Sequence, residues 1–253
     1  MLSKNKIKLI QSLNRKKNRD ETGLFLVEGN KMVEEALRSE FQVELLVCTS
    51  TFLDQNSDLS GLANELIETD IESLHKASLM QNPQDALALI RQPLNSRPEF
   101  NLNRDLLLAL DFIQDPGNLG TIFRIADWFG ISAVICSENT VDSFNPKVVQ
   151  ASMGAIFRIK TWYTDLEDFL RDTERKQIPI YGTFLDGQNI YTEALTHNGV
   201  IIMGNEGNGI SEEAGRLVSH RLFIPSFSTN ENKTESLNVA IATAICCSEF
   251  SRR

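Results

Sequence analysis

The stretch GVIIMGNEGNGIS, Gly199 to Ser211, decides the fold of this chain. Its apolar run from Val200 to Met203 is bounded by glycines on both sides, and so short a run is typical of a strand buried on both faces. The glycines after the run allow the backbone to approach a ligand closely, and they enclose one carboxylate, that of Glu206. The stretch therefore predicts a buried strand that ends in a ligand-holding loop.

The sequence around this strand alternates strand and helix patterns from Asp105 onward. The strand patterns are LLLALDF, SAVICSE, IPIYGTFL, GVIIMG and RLFIPS, and the helical patterns are NLGTIFRIADWFG, PKVVQASMGAIF, DLEDFLRDTERKQ, a helix from Ser211 and SLNVAIATAICCSEF. Such alternation predicts an α/β fold, an open and mostly parallel sheet with helices on both faces. Ligands of these sheets bind at the carboxyl ends of the strands, so we expect the site in the loops there.

Residues 1–95 predict a smaller α/β domain. The strand patterns LFLVEG, VELLVCT, LIETD and DALALIRQ alternate with polar or helical stretches, among them one helix with Met32, Val33, Ala36 and Leu37 at helical spacing. The stretch QPLNSRPEFNLNR that follows has two prolines, three asparagines and little periodicity. We therefore assign residues 96–104 to a linker and residues 105–253 to the second domain.

The composition is that of an ordinary globular protein, with 42% hydrophobic and 23% charged residues. The N-terminus lacks the apolar segment of a signal peptide, and no apolar run approaches the roughly 20 residues of a membrane-spanning helix, so we expect a cytoplasmic location. The cysteines form no Cys-x-x-Cys pair and the histidines are scattered, which predicts free, mostly buried thiols and no metal site. These residues are Cys48, Cys136, Cys246, Cys247, His75, His197 and His220.

The charge of the chain is distributed unevenly. A formal net charge of -9 argues against a general polyanion binder, but the first 19 residues carry seven basic side chains and no acidic one. Any nucleic-acid contact must therefore be local. The same run also fits a solvated helical face, and charge alone leaves both interpretations open. The basic residues are Lys4, Lys6, Lys8, Arg15, Lys16, Lys17 and Arg19.

Four loops follow predicted strands of the second domain, and they share a chemistry. DFIQDPGNLGT, GTFLDG, GNEGNG and IPSFSTNENKTESLN supply Gly, Asn, Ser and Thr, which expose backbone amides or hydrogen-bond through neutral side chains. The glycine cluster after Met203 also resembles nucleotide-binding loops, but it reverses the usual G-x-G-x-x-G order. The few charged residues of these loops are therefore the more informative ones.

Several polar residues of these loops have both a structural and a functional interpretation. Asn118, Ser236 and Asn238 precede apolar helical faces, where they could cap the helix or leave its free amides to a ligand. Arg124 lies off the apolar face of its helix and suits a phosphate or carboxylate, or else a surface ion pair with a neighbouring acid. Glu206 gains little from packing between glycines, which favours a functional role.

The combination DPGNLGTIFRIADWFG, IIMGNEGNGIS and IPSFSTNENKTESLNVAIATA, in this order, resembles the three motifs of the SpoU branch of SPOUT RNA methyltransferases. The N-terminal GLFLVEGNKMVEEAL is similar to the start of that family's RNA-substrate-binding domain, so the resemblance covers nearly the whole chain. It implies methylation of ribose 2′-hydroxyls in RNA with S-adenosylmethionine as donor. It also implies a homodimer formed through the C-terminal domain, a deep trefoil knot in that domain, and an L30e-like first domain. Large-subunit (23S) ribosomal RNA is the favoured substrate and transfer RNA the alternative.

The resemblance also assigns residues. The family's active-site positions fall on Asn118, Arg124, Glu206, Ser236 and Asn238. Its donor-binding positions fall on Thr183, Phe184, Leu185, Gly204, Asn205, Gly207, Ile224, Pro225, Leu237 and Asn238. The basic residues from Lys4 to Arg19 become candidate RNA contacts, and Gln150 stands where we expect a basic residue in many relatives.

Methyl transfer to a ribose hydroxyl needs an in-line approach of oxygen to methyl, and positioning supplies much of the rate without a metal. Because an arginine stays protonated at neutral pH, we expect Arg124 to clamp the phosphate beside the target ribose rather than to accept a proton. Glu206 would orient Arg124 or Asn118, or favour the cationic donor electrostatically. Two alternatives stay open, a silent relative that only binds RNA and a small-molecule nucleotide enzyme.

Overall fold

The structure, a computed structural model, describes residues 2–230, 234 and 236–252. The chain divides into two compact units, each made of two segments. The first unit comprises Met1–Leu94 with Asp142–Arg158, and the second comprises Asn95–Val141 with Ile159–Arg253. Residues 142–158, whose sequence pattern continues that of the second domain, thus pack with the first unit. No helix within the described ranges is long and apolar enough to span a membrane.

The secondary structure follows the chain in this order. The helices are α1 (Lys4–Ser12), α2 (Lys16–Thr22), α3 (Asn30–Arg38), α4 (Ser50–Gln55), α5 (Ile71–Ala77), α6 (Pro116–Trp128), α7 (Pro146–Ser152), α8 (Leu166–Arg175), α9 (Glu212–Gly215) and α10 (Val239–Arg252). The strands are β1 (Leu24–Glu28), β2 (Val43–Cys48), β3 (Ala63–Glu68), β4 (Ala86–Arg91), β5 (Leu106–Leu110), β6 (Ala133–Ser137), β7 (Thr161–Thr164), β8 (Ile180–Asn189), β9 (Gly199–Met203) and β10 (His220–Phe223). Short 3-10 turns cover Ser57–Leu62 and Ala155–Phe157.

The sheet of the first unit has the strand order β1-β4-β2-β3. β4 runs antiparallel to β1 and β2, whereas β2 and β3 are parallel. Helix α3 contacts β1 and β4 through the predicted apolar face, which is buried at Met32, Val33, Ala36 and Leu37. The alternation of strands and helices in residues 1–95 therefore does form a small α/β unit.

Several side-chain contacts hold residues 142–158 in this first unit, among them an ion pair and an aromatic contact near the start of the segment. The guanidinium of Arg19 on α2 donates to the carboxylate of Asp142. The rings of Phe25 on β1 and Phe144 lie 4.6 Å apart, and α7 contacts β1 as well. A buried ion pair and an aromatic contact thus fasten a segment that is distant in sequence.

The sheet of the second unit is parallel throughout, with the strand order β10-β8-β9-β5-β6-β7. β9 is buried along its whole length, which confirms the prediction for Val200 to Met203. β5 and β9 are paired from Leu106 with Gly199 to Leu110 with Met203, so the loops after both strands begin at the same edge of the sheet. The edge strand β7 was not predicted, because its four residues show no apolar alternation. In the structure all four are half-buried.

Two helices of the second unit position the loops at this edge. α6, which follows β5, buries Leu119, Ile122, Phe123 and Ala126 as predicted and packs against α10. The helix expected from Ser211 is the single turn α9. The amino ends of α6 and α10 therefore supply most of the helical backbone near the predicted site.

Candidate active site

The glutamate loop, Gly204–Ser211, closes on itself directly after β9. Asn205 and Gly209 exchange two backbone hydrogen bonds of 2.9 Å across it. A Cβ on Gly204 would lie 2.2 Å from the carbonyl carbon of Gly209, and Gly209 itself has a φ of 71°. Both positions thus require glycine for the loop to close. The closure of the loop therefore explains these two glycines even without a bound ligand. Gly207 is exposed near the tip of the loop.

The side chain of Asn205 ties this loop to the end of β5. Its Oδ1 accepts hydrogen bonds from the backbone N–H groups of Gly207 and Asn208 at 2.9 and 3.0 Å, and its Nδ2 donates to the carbonyl oxygen of Phe112 at 2.8 Å. Asn205 therefore fixes the shape of the glutamate loop against the loop that follows β5.

The side chains of Glu206, Asn118 and Asn238 form a row of hydrogen bonds, which we call the amide network. Asn118 Nδ2 donates to Glu206 Oε1 at 2.9 Å, and Asn238 Nδ2 donates to Asn118 Oδ1 at 2.9 Å. Because both ends of the Asn118 amide are bonded, its orientation is fixed. The network joins the glutamate loop to the amino ends of α6 and α10, so the structure brings the three predicted motifs together.

The carboxylate of Glu206 also faces the backbone that leads into α6. The N–H groups of Gln114 and Asp115 donate to it at 3.4 and 3.3 Å. Asp115, not Asn118, caps α6, because its Oδ1 accepts from the Asn118 N–H at 2.8 Å. The capping interpretation of Asn118 is therefore wrong: the helix is capped three residues earlier, at Asp115, which leaves the Asn118 side chain to the amide network.

Asn238 both caps a helix and belongs to the network. Its Oδ1 accepts from the backbone N–H groups of Ala240 and Ile241 at 2.9 and 3.3 Å, at the start of α10. The capping interpretation of this residue is therefore confirmed, and its Nδ2 is bonded to Asn118 at the same time. Ser236, two residues earlier, is exposed to solvent.

Arg124 lies two turns into α6 with its side chain exposed, on a different face from the buried Phe123. Of the two residues that Glu206 was expected to orient, the structure pairs it with Asn118. The Arg124 side chain is therefore accessible from solvent.

Asp111 was not singled out by the sequence, yet it fixes the far end of the glutamate loop. It is buried directly after β5, and its Oδ2 accepts from the Ser211 N–H at 2.7 Å. Its own N–H donates to the carbonyl oxygen of Met203 at 2.9 Å. An acid placed immediately after a fully apolar strand is the signal that could have found it, since buried carboxylates need partners.

The other candidate donor-binding residues lie around the same strand ends. Strand β8 contains a five-residue bulge, to which Thr183, Phe184 and Leu185 belong. The residues that directly follow β10 are Ile224 and Pro225, and the residue two positions before α10 is Leu237. Leu185 is 75% exposed and Leu237 is 50% exposed. Two large apolar side chains therefore stand in solvent beside otherwise polar loops, as a site for a partly apolar ligand requires.

The basic N-terminal residues do not all face solvent. Arg19 is 1% exposed, and its Nη1 donates to the carbonyl oxygens of Leu13 and Asn14 at 2.8 and 3.1 Å, in addition to its pairing with Asp142. A guanidinium held by these groups is not available to a phosphate, so the prediction that Arg19 contacts RNA is wrong. Its role is to fasten residues 142–158.

The other six basic residues stay at or near the surface. Lys4, Lys8 and Arg15 are exposed, whereas Lys6 pairs with Glu65, Lys16 with Asp20 and Lys17 with Glu21. Such surface pairs contribute little and exchange readily for other anions. Gln150 is half-buried on α7.

The cysteines are free and buried, as expected. Burial raises the pKa of Cys48 to about 11 and that of Cys247 to about 12, and it raises the pKa of Cys136 and Cys246 as well. Since a thiol must lose its proton to act as a nucleophile or metal ligand, these side chains serve packing. Within the described part of the chain, no group of three or more His, Cys, Asp or Glu is placed to hold a metal ion.

Comparison with known proteins adds to this geometry. The sequence profile of the SpoU rRNA Methylase family matches residues 105–248, and that of the MRM3-like substrate binding domain matches residues 4–88. The chain is 33% identical to the 23S rRNA (guanosine(2553)-2'-O)-methyltransferase RlmP of Bacillus subtilis, over 95% of this chain and 93% of that protein.

Solved structures agree with these matches. A chain from Porphyromonas gingivalis assigned to the TrmH family of RNA methyltransferases has a TM-score of 0.89 and 41% identity, covering 100% of this chain and 99% of that one. An AdoMet-bound rRNA methyltransferase from Sinorhizobium meliloti has a TM-score of 0.84 and 31% identity, covering 100% and 97%.

Proposed function

Because the chain belongs to the SpoU rRNA Methylase family, we propose that it is an S-adenosylmethionine-dependent enzyme that methylates a ribose 2′-hydroxyl in large-subunit (23S) ribosomal RNA. The observation that carries the proposal is the amide network, in which Asn118, Glu206 and Asn238 join the three motifs. Relatives named as 23S rRNA methyltransferases in Bacillus subtilis and Neisseria meningitidis support ribosomal RNA over transfer RNA.

The residues around the strand ends fit S-adenosylmethionine, which the related structure from Sinorhizobium meliloti contains. The exposed apolar side chains of Leu185 and Leu237 suit the adenine ring, and the backbone at the exposed Gly207 and the half-buried Ile224 suits its polar atoms. The carboxylate of Glu206 suits a neighbouring positive charge. When bound, this donor supplies a methyl group activated by a sulfonium centre. Thr183, Phe184, Gly204, Asn205, Pro225 and Asn238 complete the proposed donor set.

The contribution of the amide network is positioning. Glu206 holds the Asn118 amide and the backbone N–H groups of Gln114 and Asp115, so the loop before α6 cannot shift independently of the glutamate loop. A fixed loop costs no reorganisation when the substrate ribose arrives. Asn118 and Glu206 thus keep the reacting groups in line, which is where a methyl transfer gains most of its rate.

Arg124 has a different task in this proposal. Its exposed guanidinium presents a planar pair of donors to the phosphate beside the target ribose. The proton of the ribose hydroxyl would leave late, to this phosphate or to water, since a guanidinium offers hydrogen-bond donors and no acceptor. Ser236, exposed before α10, would add a hydrogen bond to the RNA or the donor.

The first unit would supply affinity for RNA. The match to a substrate binding domain over residues 4–88 supports this assignment, as do the exposed Lys4, Lys8 and Arg15. Lys6, Lys16 and Lys17 would join them by exchanging their surface carboxylates for phosphates.

We further propose that this unit has an L30e-like fold and that domain boundaries lie at residues 95 and 105. A cytoplasmic location is part of this proposal, because ribosomal RNA is its proposed substrate.

We also propose a homodimer formed through the C-terminal domain, and a trefoil knot within it. Trp128 at the end of α6 is 84% exposed, and Ile241 on the adjoining α10 is half exposed, which supports an apolar interface on these two helices. In support of the knot, the chain leaves the sheet at the edge strand β10 and returns to pack α10 on α6, which follows the interior strand β5.

Calorimetric titration with S-adenosylmethionine tests the proposal, with wild type and Leu237→Arg in parallel. Saturable binding by wild type and none by the folded variant are expected, because an arginine at Leu237 would block the donor site. Mapping of 2′-O-methyl groups in ribosomal RNA from a deletion strain would then identify the nucleotide. No donor binding by folded wild type would favour a silent RNA-binding relative instead.

A further inference from the structure

Strand β8 contains a bulge, Thr183–Gly187, which we call the β8 bulge. β8 pairs with β10 at Tyr181 and Gly182, then again only at Gln188 and Asn189, so five residues stand opposite a single step of the partner strand. A bulge changes the direction of its strand, and bulges are frequent next to active sites. It contains three of the residues proposed to bind the donor.

The ends of the β8 bulge are fixed by close backbone packing. A Cβ on Gly187 would lie 2.5 Å from the carbonyl carbon of Leu222, so the strand can rejoin β10 only with glycine there. At the other end, a Cβ on Gly182 would lie 2.8 Å from Cε2 of Phe184. The Phe184 ring is therefore folded back over the start of the bulge and does not project from it.

One side chain of the partner strand contacts the β8 bulge at two places. Arg221 on β10 lies with its Cζ 3.5 Å from the centroid of the Phe184 ring, and its Nη2 donates to Asp186 Oδ1 at 2.6 Å. The hydrogen bond from Arg221 lowers the pKa of Asp186, so the carboxylate is charged at neutral pH. Between these two contacts Leu185 is exposed.

We propose that Arg221 is a positioning residue for the methyl donor, because it clamps Phe184 and Asp186 and thereby holds Thr183 and Leu185 in the shape that binds S-adenosylmethionine. This inference rests on the proposed function and adds a residue that lies outside the three motifs. The guanidinium stacks on the ring with its flat face and pairs with the carboxylate through its edge, which a lysine cannot do at once. Without the clamp, only a fraction of the molecules would carry the bulge in the binding shape, and the apparent donor Kd would rise in inverse proportion to that fraction.

Titration calorimetry with S-adenosylmethionine on wild type, Arg221→Ala, Arg221→Lys and Arg216→Ala tests this. Arg216 is the matched control, because it is an exposed arginine of the same unit whose partner is Glu212 on its own turn. We expect the donor Kd to rise about fivefold in Arg221→Ala, less in Arg221→Lys, and to stay unchanged in Arg216→Ala. RNA affinity and kcat at saturating donor should stay at the wild-type level, so that the effect is confined to the donor KM.

A second measurement separates the clamp from general stability. Hydrogen exchange of the amides in residues 183–187 should quicken in Arg221→Ala without donor, while Tm changes little because the Arg221–Asp186 pair lies at the surface. An unchanged donor Kd in a folded Arg221→Ala protein would overturn the inference, as would a Kd rise accompanied by an equal loss in Arg216→Ala. If wild type itself binds no donor, the proposed function fails, and that outcome is distinct from a failure confined to Arg221.

Discussion

Arg19 in the first unit and Glu206 in the second are both charged residues in polar stretches, and their surroundings are opposite. Arg19 is buried, with its guanidinium bonded to Asp142 and to two carbonyl oxygens. Glu206 is exposed and bonded to the amide of Asn118 and to backbone N–H groups of a loop. A charge that folding has removed from water serves the fold, whereas a charge held at the surface by neutral groups remains able to act on a ligand.

The largest effect we expect comes from breaking the buried pair. Arg19→Ala should lower the free energy of unfolding by about 3 kcal/mol, because it leaves the Asp142 carboxylate largely buried without its cation. Chemical denaturation measures this change. The exposed neighbour Arg15→Ala serves as control and should change stability by less than about 0.5 kcal/mol. A stable Arg19→Ala protein with weakened RNA binding would contradict the structural role.

Truncation of the exposed Glu206 carboxylate should lower turnover and not stability. Glu206→Ala is expected to lower kcat about 100-fold and Glu206→Gln about 10-fold, because glutamine keeps one acceptor for the Asn118 amide but loses the charge. Methyl transfer to RNA under saturating donor measures both. Asn208→Ala, an exposed residue of the same loop, should keep normal turnover. If Glu206→Ala were as destabilised as Arg19→Ala, the contrast between the two regions would not hold.

A smaller effect is expected from the exposed basic residues. The triple variant Lys4→Ala, Lys8→Ala and Arg15→Ala should weaken RNA binding by roughly tenfold at low salt and make its dependence on salt concentration less steep. Filter binding at several salt concentrations measures the slope. Donor affinity should not change. A slope equal to that of wild type would show that these residues do not contact phosphates.

The smallest effect concerns Glu28, a buried carboxyl at the end of β1 that accepts hydrogen bonds from the Ser78 hydroxyl and the Leu79 N–H. Burial raises the pKa of Glu28 above its usual range. The folded state then holds the proton more tightly than the unfolded state, so stability falls as pH rises from the ordinary glutamate range through the raised pKa.

Glu28→Gln should remove this dependence of stability on pH. The Tm of wild type, measured relative to that of the variant, should therefore fall as pH rises from 4 to 8. Glu72→Gln, an exposed residue of α5, serves as control and should leave the slope in place. A difference between wild type and Glu28→Gln that is constant over this range would contradict the raised pKa.

Much of the second unit was predictable from the sequence, because its signals are local. The apolar run Val200 to Met203 predicted a buried strand, and the spacing of Leu119 to Ala126 predicted the buried face of α6. Strand ends of a parallel sheet share one edge, so the motifs could be expected to meet there. The cap at Asp115, the bulge of β8 and the buried Asp111 were not predicted, since each depends on contacts between residues far apart in the chain.

The sequence by itself determined the α/β class, the position of the glutamate loop, and the family, because hydrophobic periodicity and the order of the three motifs are written along the chain. Only the tertiary structure decided what individual polar residues do. Arg19 and Lys17 have the same charge and lie two residues apart, yet one is buried against Asp142 and the other is exposed. Burial and hydrogen-bond partners come from packing of distant segments, and they decide whether a polar side chain supports the fold or faces a ligand.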